Sequence, residues 1–498
     1  MQTNISHSNF KYATNDSTNP RCATPSYRRW IVVIATAPLF ALGAFAQEGS
    51  TGMVSQEDAA TGRTPQAGYV YVPESSKAKW SGFAHTTYVL RSADGNKPAA
   101  LSATNPEGVA GPDATIHLAE TPASMGCLYA HSPSSSGCVP HGLFGGGGGP
   151  SAAGYGAIAI VDAFDNPNAA SDLAIFDAQW PLPPANFTKI YANGNGSCQA
   201  PPVDTGWALE ESLDIEWAHV FAPQAAIILV EACSNSYADL FYAEQVAFNY
   251  IVDHYPQGGQ VSNSWQGGEF SGQIADDPFF ADWNYVGVTG WKTHILAFAS
   301  SGDGGFEGST TGYPSGNPWL ISAGGTSVLR DSSTGNFVSE ACWAGSGGGT
   351  SSYETYATSF SGGHMGPWAN FQFPIFGQSN RRTPDLSANG DPASGVFVFS
   401  GINGGWFIVG GTSVSSPMLA SIVNRASNQL GSVFLTPVTS GSDWFNTEEN
   451  NLLYSQLATA RAYAQNFYDV TSGSSGAAAV PSYDLCTGVG SPRGVLGK

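Results

Sequence analysis

The sequence predicts an α/β domain, a parallel sheet flanked by helices. Short apolar runs recur along the chain: "AIAIVDAF" (157–164), "AAIILVEA" (225–232), "QVSNSW" (260–265) and "HILAFASSGDGG" (294–305), each ending in small or polar residues. Segments long enough for helices, 207–222 and 238–254, separate them. Buried runs alternating with helical stretches are the pattern of parallel strands joined by crossovers. The composition allows the core this needs, with 42% hydrophobic and 12% aromatic residues against 11% charged. In such a domain ligands bind beyond the carboxyl ends of the strands, where "SSGDGG" and "GGTS" fall. No repeat of solenoid type is present.

The chain opens on an address. Arg28-Arg29 precede an apolar run, Ile31 to Ala46, that closes on Ala44-Phe45-Ala46. This is the n-region, h-region and small-x-small site of a signal peptide, with cleavage before Gln47 and an unusually long leader. The run of 16 residues is short for a spanning helix, so no stable membrane association is expected once it is removed. Residues 1–46 carry four basic side chains and one acidic, so the formal charge moves from −20 to −23 on their loss. An acidic surface of this kind excludes nucleic acid as a partner. It loses much of its self-repulsion only where carboxylates protonate, so acidic surroundings suit it.

Residues 47–111 are mixed and polar without a long periodic helix, and read as an N-terminal extension of modest structure. Six cysteines remain after the leader, an even count that suggests disulfides in an exported chain. The expected local pairs are Cys127–Cys138 and Cys198–Cys233, with Cys342–Cys486 as remainder; no C-x-x-C pair is available for a metal. Asn186-Phe-Thr and Asn195-Gly-Ser are glycosylation acceptors only in a eukaryotic host.

The stretch "GGWFIVGGTSVSSPMLASIV" (404–423) reads as a strand from Trp406 to Val409, a Gly-Gly turn and a helix with Pro417 in its first turn. Ser413 at that helix entrance is either an N-cap or a nucleophile, and a nucleophile needs a base. None of the nine histidines lies in a His-Gly-Thr context, and His219 in "EWAHVFAP" reads as a packed helix residue. "GWALEESLDIEWAHVFAP" (206–223) instead places Glu210 and Asp214 four apart, on one helix face. Two acids that close can share a proton, which raises one pKa. Glu211 and Glu216 read as a solvated acidic face.

Together the motifs resemble the sedolisins, or serine-carboxyl peptidases. E-x-x-x-D precedes a buried strand, S-G-D-G follows another, and G-T-S-x-S-x-P enters a helix. "AIAIVDAFDNP" (157–167), "VSNSW" (261–265), "YPSGNPWLISAGGTS" (313–327), "SGGGTS" (346–351) and "RTPDLSANGDP" (382–392) fall in the same order. The resemblance implies a subtilisin-like fold over 112–498, with Ser413 as nucleophile, Glu210 as general base, Asp214 orienting Glu210, and a protonated Asp303 at the oxyanion. It implies a secreted endopeptidase active in acid, where a carboxylate with a pKa near 4 is poised as a base and a histidine is not. Asn263, Ser264 and Trp265 are the expected lining of the specificity pocket. Ser327, in a second "GGTS", is followed by a strand and a turn, and Asp162 without a His-Gly-Thr partner reads as structural.

The tail "FYDVTSGSSGAAAVPSYDLCTGVGSP" (467–492) resembles the family's calcium site, implying one Ca²⁺ held by Asp469 and Asp484 and by the carbonyls of Val470, Val480 and Ser482. The family usually has Gly where Val480 and Ser482 stand, and its large folded propeptide exceeds residues 47–111. The expected partners are protein or peptide substrates met by a monomer, extracellular or, in a Gram-negative host, periplasmic. A His-dependent subtilisin relative and an inactive peptide-binding protein are the alternatives.

Overall fold

The computed structural model describes residues 69–78, 81–92, 119–130, 153–280, 295–330, 337–355, 380–430 and 460–494, with isolated positions between 372 and 457. All of them lie in one compact unit, Gly52–Lys498; the leader read at 1–46 falls outside the described residues. The central sheet is built from β1 (Ala157–Ala163), β2 (Asn186–Ala192), β3 (Ala226–Ala232), β4 (Gly259–Asn263), β5 (Ile295–Ser300), β6 (Leu320–Arg330), β7 (Phe337–Cys342) and β8 (Leu386–Asn389). Their order is β7-β6-β5-β4-β1-β3-β2, with β8 also on β6. Every pairing is parallel except β6–β7.

The apolar runs form strands because both faces of the sheet are covered. Along β1, Ile158 and Ile160 enter one core while Ala157, Ala159 and Val161 enter the other; β3 divides Ile227 and Leu229 from Ile228 and Val230 in the same way. Each strand thus presents a continuous apolar run with period-2 sorting. Helix α1 (Ala169–Gln179), α2 (Thr205–Phe221) and α4 (Thr412–Leu430) cover the first face, and α3 (Tyr237–His254) covers the second. Asp204 caps α2 by accepting from Gly206 N and Trp207 N at 2.9 and 3.0 Å. Among the described residues no helix is long and apolar enough to cross a membrane.

Two readings of the sequence need correction. Glu211 and Glu216 are not a solvated face, since both have no exposed surface. α2 is wedged between the sheet, α4 and the strand Val396–Ser400, so every side of it from Trp207 onward is inside. Glu216 Oε2 accepts from Phe399 N across that interface at 3.1 Å. Pro417 is the sixth residue of α4, past the first turn. The Ser413 carbonyl that its missing N–H would have bonded receives Ser264 Oγ at 3.3 Å instead.

Cys198–Cys233 and Cys342–Cys486 are bonded as expected. Cys127 is also in a disulfide, and its expected partner Cys138 lies outside the described residues. Within the stretch read as an extension, Tyr69–Tyr71 and Val89–Ser92 pair with each other, and the latter joins Gly405–Gly410, the strand leading into α4. His85–Thr86 pairs with Trp265–Gly268.

Candidate active site

The N-terminus of α4 sets the geometry. Gly411, at φ +111°, makes the turn between the strand and the helix, and leaves the first helical N–H groups free to bond outward. Thr412 N and its hydroxyl donate to Asp303 Oδ1 at 2.8 and 3.0 Å. Ser413 N donates to the carbonyl of Thr87 at 3.0 Å. α4 is pinned onto the sheet by buried polar contacts: Ser416 Oγ meets Ser262 Oγ at 2.8 Å, and Asn424 Nδ2 donates to Gln260 Oε1 at 2.7 Å. Ser413 therefore sits on the core, not on a loop.

The Ser413 hydroxyl lies 3.2 Å from Ser264 O and 2.9 Å from Thr87 Oγ1. Glu210 stands beside it on α2, close enough that the hydroxyl lowers the Glu210 pKa as a donor would. Neither Glu210 oxygen closes a hydrogen bond of normal geometry while the hydroxyl is turned toward Ser264 and Thr87. Asp214, one turn along α2, accepts from Ser264 Oγ at 2.9 Å through Oδ1, and its Oδ2 has no donor. A proton shared by Glu210 and Asp214 can satisfy one oxygen of each.

Burial pushes both pKa values well up, and for Glu210 the neighbouring Asp214 and Asp162 add to the rise. Repulsion between the two acts only when both are charged, so the second ionisation is displaced furthest. The two carboxyls consequently lose their protons in separate steps.

Asp303 follows β5 and aims its free Oδ2 at the same place. Burial pushes its carboxyl up to about 7, against the two Thr412 donors that favour the anion. A Cβ on Gly411 would lie 2.8 Å from Asp303 Oδ2 and 2.3 Å from Thr87 O, so the two oxygens converge on a space only glycine leaves open. A protonated Asp303 and the Ser413 N–H together can hold a carbonyl oxygen that gains charge.

Among the other expected site residues, Ser264 is part of this cluster. Asn263 turns its side chain the other way, donating to Glu244 Oε1 and Phe298 O at 3.3 and 3.1 Å. The Trp265 indole donates to Val161 O and packs in the second core, so only its backbone faces His85–Thr86. His219 bonds Pro183 O at 2.8 Å and is lowered in pKa by burial; among the described residues no histidine bonds Ser413. Ser327 lies inside β6 and donates to Asp391 Oδ2. Asp162, fully buried with neither oxygen bonded, stands within electrostatic reach of Asp214 and Glu231, and burial raises its pKa.

In the tail, Asp469 Oδ1 accepts from Ser482 N and Tyr463 OH at 2.9 and 3.0 Å. Asp484 accepts from Val480, Cys486 and Thr487 N–H groups. Ser482 takes φ +73°, the conformation that the glycine more usual there would take. One Tyr463 proton faces three acceptors, Asp469 Oδ1, Ser482 O and Val489 O, which leaves an excess of oxygen lone pairs. Among the described residues no cluster of three or more His, Cys, Asp or Glu side chains gathers, so most donors to a cation here would be carbonyls.

The residue missed by sequence reasoning is Thr87. Nothing in "HTTYVL" (85–90) marks it, because its place depends on pairing with positions 264–266 and 405–410, far along the chain.

No family model matches the chain. Kumamolisin of Bacillus sp. (strain MN-32) is 31% identical over 307 residues, which covers 57% of this chain and 49% of that protein. The chain thus aligns with about half the length of this relative. The solved structure of Pseudomonas sedolisin, a serine-carboxyl proteinase complexed with two molecules of pseudo-iodotyrostatin, superposes with a TM-score of 0.56 at 20% identity. That match spans 76% of this chain and 96% of the sedolisin. The chain is thus similar in sequence to kumamolisin over part of its length, and its largely parallel sheet with helices on both faces is an α/β fold like that of Pseudomonas sedolisin.

Proposed function

We propose that the chain is a secreted, acid-active serine-carboxyl endopeptidase that cleaves peptide bonds through an acyl-enzyme on Ser413. The observation that carries this reading is the meeting of Ser413, Glu210, Asp214 and Asp303 at the N-terminus of α4, around a single peptide carbonyl. Ser413 Oγ attacks the substrate carbonyl while Glu210 takes its proton. Asp214 shares the proton of the pair and, anchored by Ser264, fixes the orientation of Glu210. The oxyanion receives the Ser413 N–H and the proton-bearing Asp303. Glu210 then returns a proton to the leaving amine, and water repeats the sequence on the ester.

Asp303 must be protonated and the Glu210–Asp214 pair singly ionised, so activity follows a bell. Its alkaline limb reports mainly Asp303, whose carboxyl ionises as pH rises through about 7. Asp303→Asn keeps a donor and removes that titration. The expected result is a rate loss of up to about 10²–10³-fold if the amide is misplaced, with the residual activity extending to higher pH than wild type. Measuring kcat/KM on a denatured protein from pH 2 to 8 checks it. An alkaline limb unchanged in Asp303→Asn removes Asp303 from the oxyanion role.

Asp469, Asp484 and the carbonyls of Val470, Val480 and Ser482 would hold one Ca²⁺, whose role would be structural, fixing the terminal loop. The crowded acceptors at Tyr463 support this. Chelation is then expected to lower Tm before it alters kcat, because a ligand bound by the native state alone stabilises it by mass action. An unchanged Tm in chelator, with no metal by elemental analysis, would remove the site. Asn263, Ser264 and Trp265 are kept as the substrate-binding segment, with the Ser264 and Trp265 backbone as its working part. The disulfides and the acidic composition support an extracellular or periplasmic monomer acting on protein or peptide substrates.

A further inference from the structure

We infer that Gln266 sets the side-chain specificity of the site, by filling the slot that would receive the residue on the acyl side of the cut bond. This rests on the peptidase reading above and deepens it by naming a substrate class, peptides with a small residue at that position.

The backbone around the slot locates it. Thr87 N donates to Ser264 O at 3.3 Å, and Thr87 O accepts the Ser413 N–H at 3.0 Å. His85 is in register with Gln266 and Thr86 with Trp265. An extended peptide laid along Trp265–Gly268 in this way brings one carbonyl to Ser413, and the residue that carries it stands where Thr87 stands. Backbone pairing seats such a peptide irrespective of its side chains, so discrimination falls to the pockets beside the strand.

Thr87 marks the mouth of that pocket. Its hydroxyl lies 3.1 Å from Ser264 O and 2.6 Å from Ser300 Oγ. Two residues beyond Ser300 the wall is Gly302, and the Gln266 carboxamide is packed against it. A Cβ on Gly302 would stand 2.4 Å from Gln266 Nε2 and 2.6 Å from Oε1, and a Cβ on Gly312 would stand 2.0 Å from the same Oε1. Two bare glycines thus wall a space that the end of one side chain occupies. Gly267, next along the strand, presents its α-carbon to the Tyr237 hydroxyl instead. Gln266 is the residue of the strand that fills the slot.

A polar end is kept there at a cost. Gln266 is 7% exposed and its Oε1 has no hydrogen-bond partner, and a buried amide oxygen without a donor is destabilising. Glu307 lies alongside. Burial pushes its carboxyl up to about 7, Glu269 adds to the rise, and the Gln266 amide opposes it as a donor would. Neutral in acid, Glu307 has a proton to give, and a carboxylic acid and a carboxamide are complementary in donors and acceptors. The pairing fixes the carboxamide in the pH range where the peptidase works.

Size then decides. Glycine, alanine, serine and threonine side chains end short of the carboxamide. A leucine or phenylalanine side chain from the same α-carbon needs the volume that Gln266 holds. A pocket misfit of a single methylene already costs about 10–200-fold in kcat/KM.

The test uses the full chain and internally quenched peptides that differ only in the residue before the cut bond: Ala, Ser, Leu or Phe. The expected kcat/KM after Ala and Ser exceeds that after Leu and Phe by about 10–200-fold. Gln266→Ala empties the slot, and the Leu-to-Ala and Phe-to-Ala ratios should rise by that same factor, whatever the absolute rates. Gln266→Met refills it without the amide and should restore the original ratios. Cuts mapped by mass spectrometry in a denatured protein, digested by the unaltered chain, read the preference without any variant. Cleavage after Leu or Phe as fast as after Ala overturns this inference and leaves the peptidase reading standing. Ratios unmoved in a folded Gln266→Ala chain overturn the role of Gln266, and a preference lost in Gln266→Met overturns selection by filled volume. No cleavage of peptides or denatured protein from pH 2 to 8 overturns both readings.

Discussion

Ser413→Ala is expected to lower kcat on a denatured protein by about 10⁶-fold, the scale on which removing the nucleophile acts in serine peptidases. Ser327→Ala should stay within a few-fold of wild type. The two serines share the local sequence Gly-Gly-Thr-Ser but not the structure that follows it. After Ser413 the chain enters α4, whose first N–H groups face outward toward a carbonyl and a carboxyl. After Ser327 it continues in β6, where the backbone is spent on pairing with β7 and the hydroxyl is held by Asp391. Ser327 has a carboxylate beside it in Asp391, but no pair of free helix N–H groups to receive an oxyanion. Kinetics on both variants, with circular dichroism to establish folding, decides the matter. Equal losses in two folded proteins would leave the nucleophile unassigned.

The fold itself is expected to be most stable in acid and to lose stability continuously as pH rises. Burial pushes Asp303, Asp177, Glu307 and Glu354 up to about 7, and Glu231 and Glu244 up to about 8. Glu211 and Glu216 are also raised well above the usual carboxylate range by burial. A carboxyl with a raised folded pKa keeps a proton that the unfolded chain gives up. Its contribution is complete below the unfolded value near 4, and is lost as pH climbs to the folded value. A rise from about 4 to about 7 is worth roughly 4 kcal/mol per group. Two or three such groups reach the roughly 5–15 kcal/mol that stabilise a typical domain. Tm should therefore peak at about pH 3–4 and fall steadily toward pH 8. Asp165 runs the other way: despite burial, its hydrogen bond from Lys189 lowers it, which sets a limit on the acid side. A Tm that peaks at neutral pH would mean these carboxyls are solvated or paired in solution.

How much of this could be read from residues alone follows from the range of each interaction. β1, β3, β4 and β5 announce themselves because strands covered on both faces are apolar throughout, and α2 and α3 because they fill the gaps between them. β2, "NFTKIYA", escaped notice: it is an edge strand, half exposed, with a lysine at its middle. The candidate site at Ser413, Glu210, Asp214 and Asp303 is legible as short motifs in a fixed order, which the fold brings together at the start of α4. Glu211 was misread because charge was taken as a sign of solvent, whereas α2 is enclosed on all sides. Nothing in the sequence marks Thr87, because its place is set by the strands its segment pairs with and not by its own letters.

The lysine in β2 has a consequence for behaviour in bulk solution. Among the described residues β2 ends the central sheet with one hydrogen-bonding edge unpaired, the kind of surface on which copies of a chain stack into aggregates. At neutral pH the molecule's large negative charge keeps copies apart, but that charge fades in acid. Lys189, held by Asp165 and Glu231, keeps its positive charge as those partners protonate, and so becomes an unbalanced cation on that edge strand. In acid a cation thus stands locally on that edge, and a Lys189→Met protein is expected to aggregate more readily in acid than the unaltered chain, as light scattering would show.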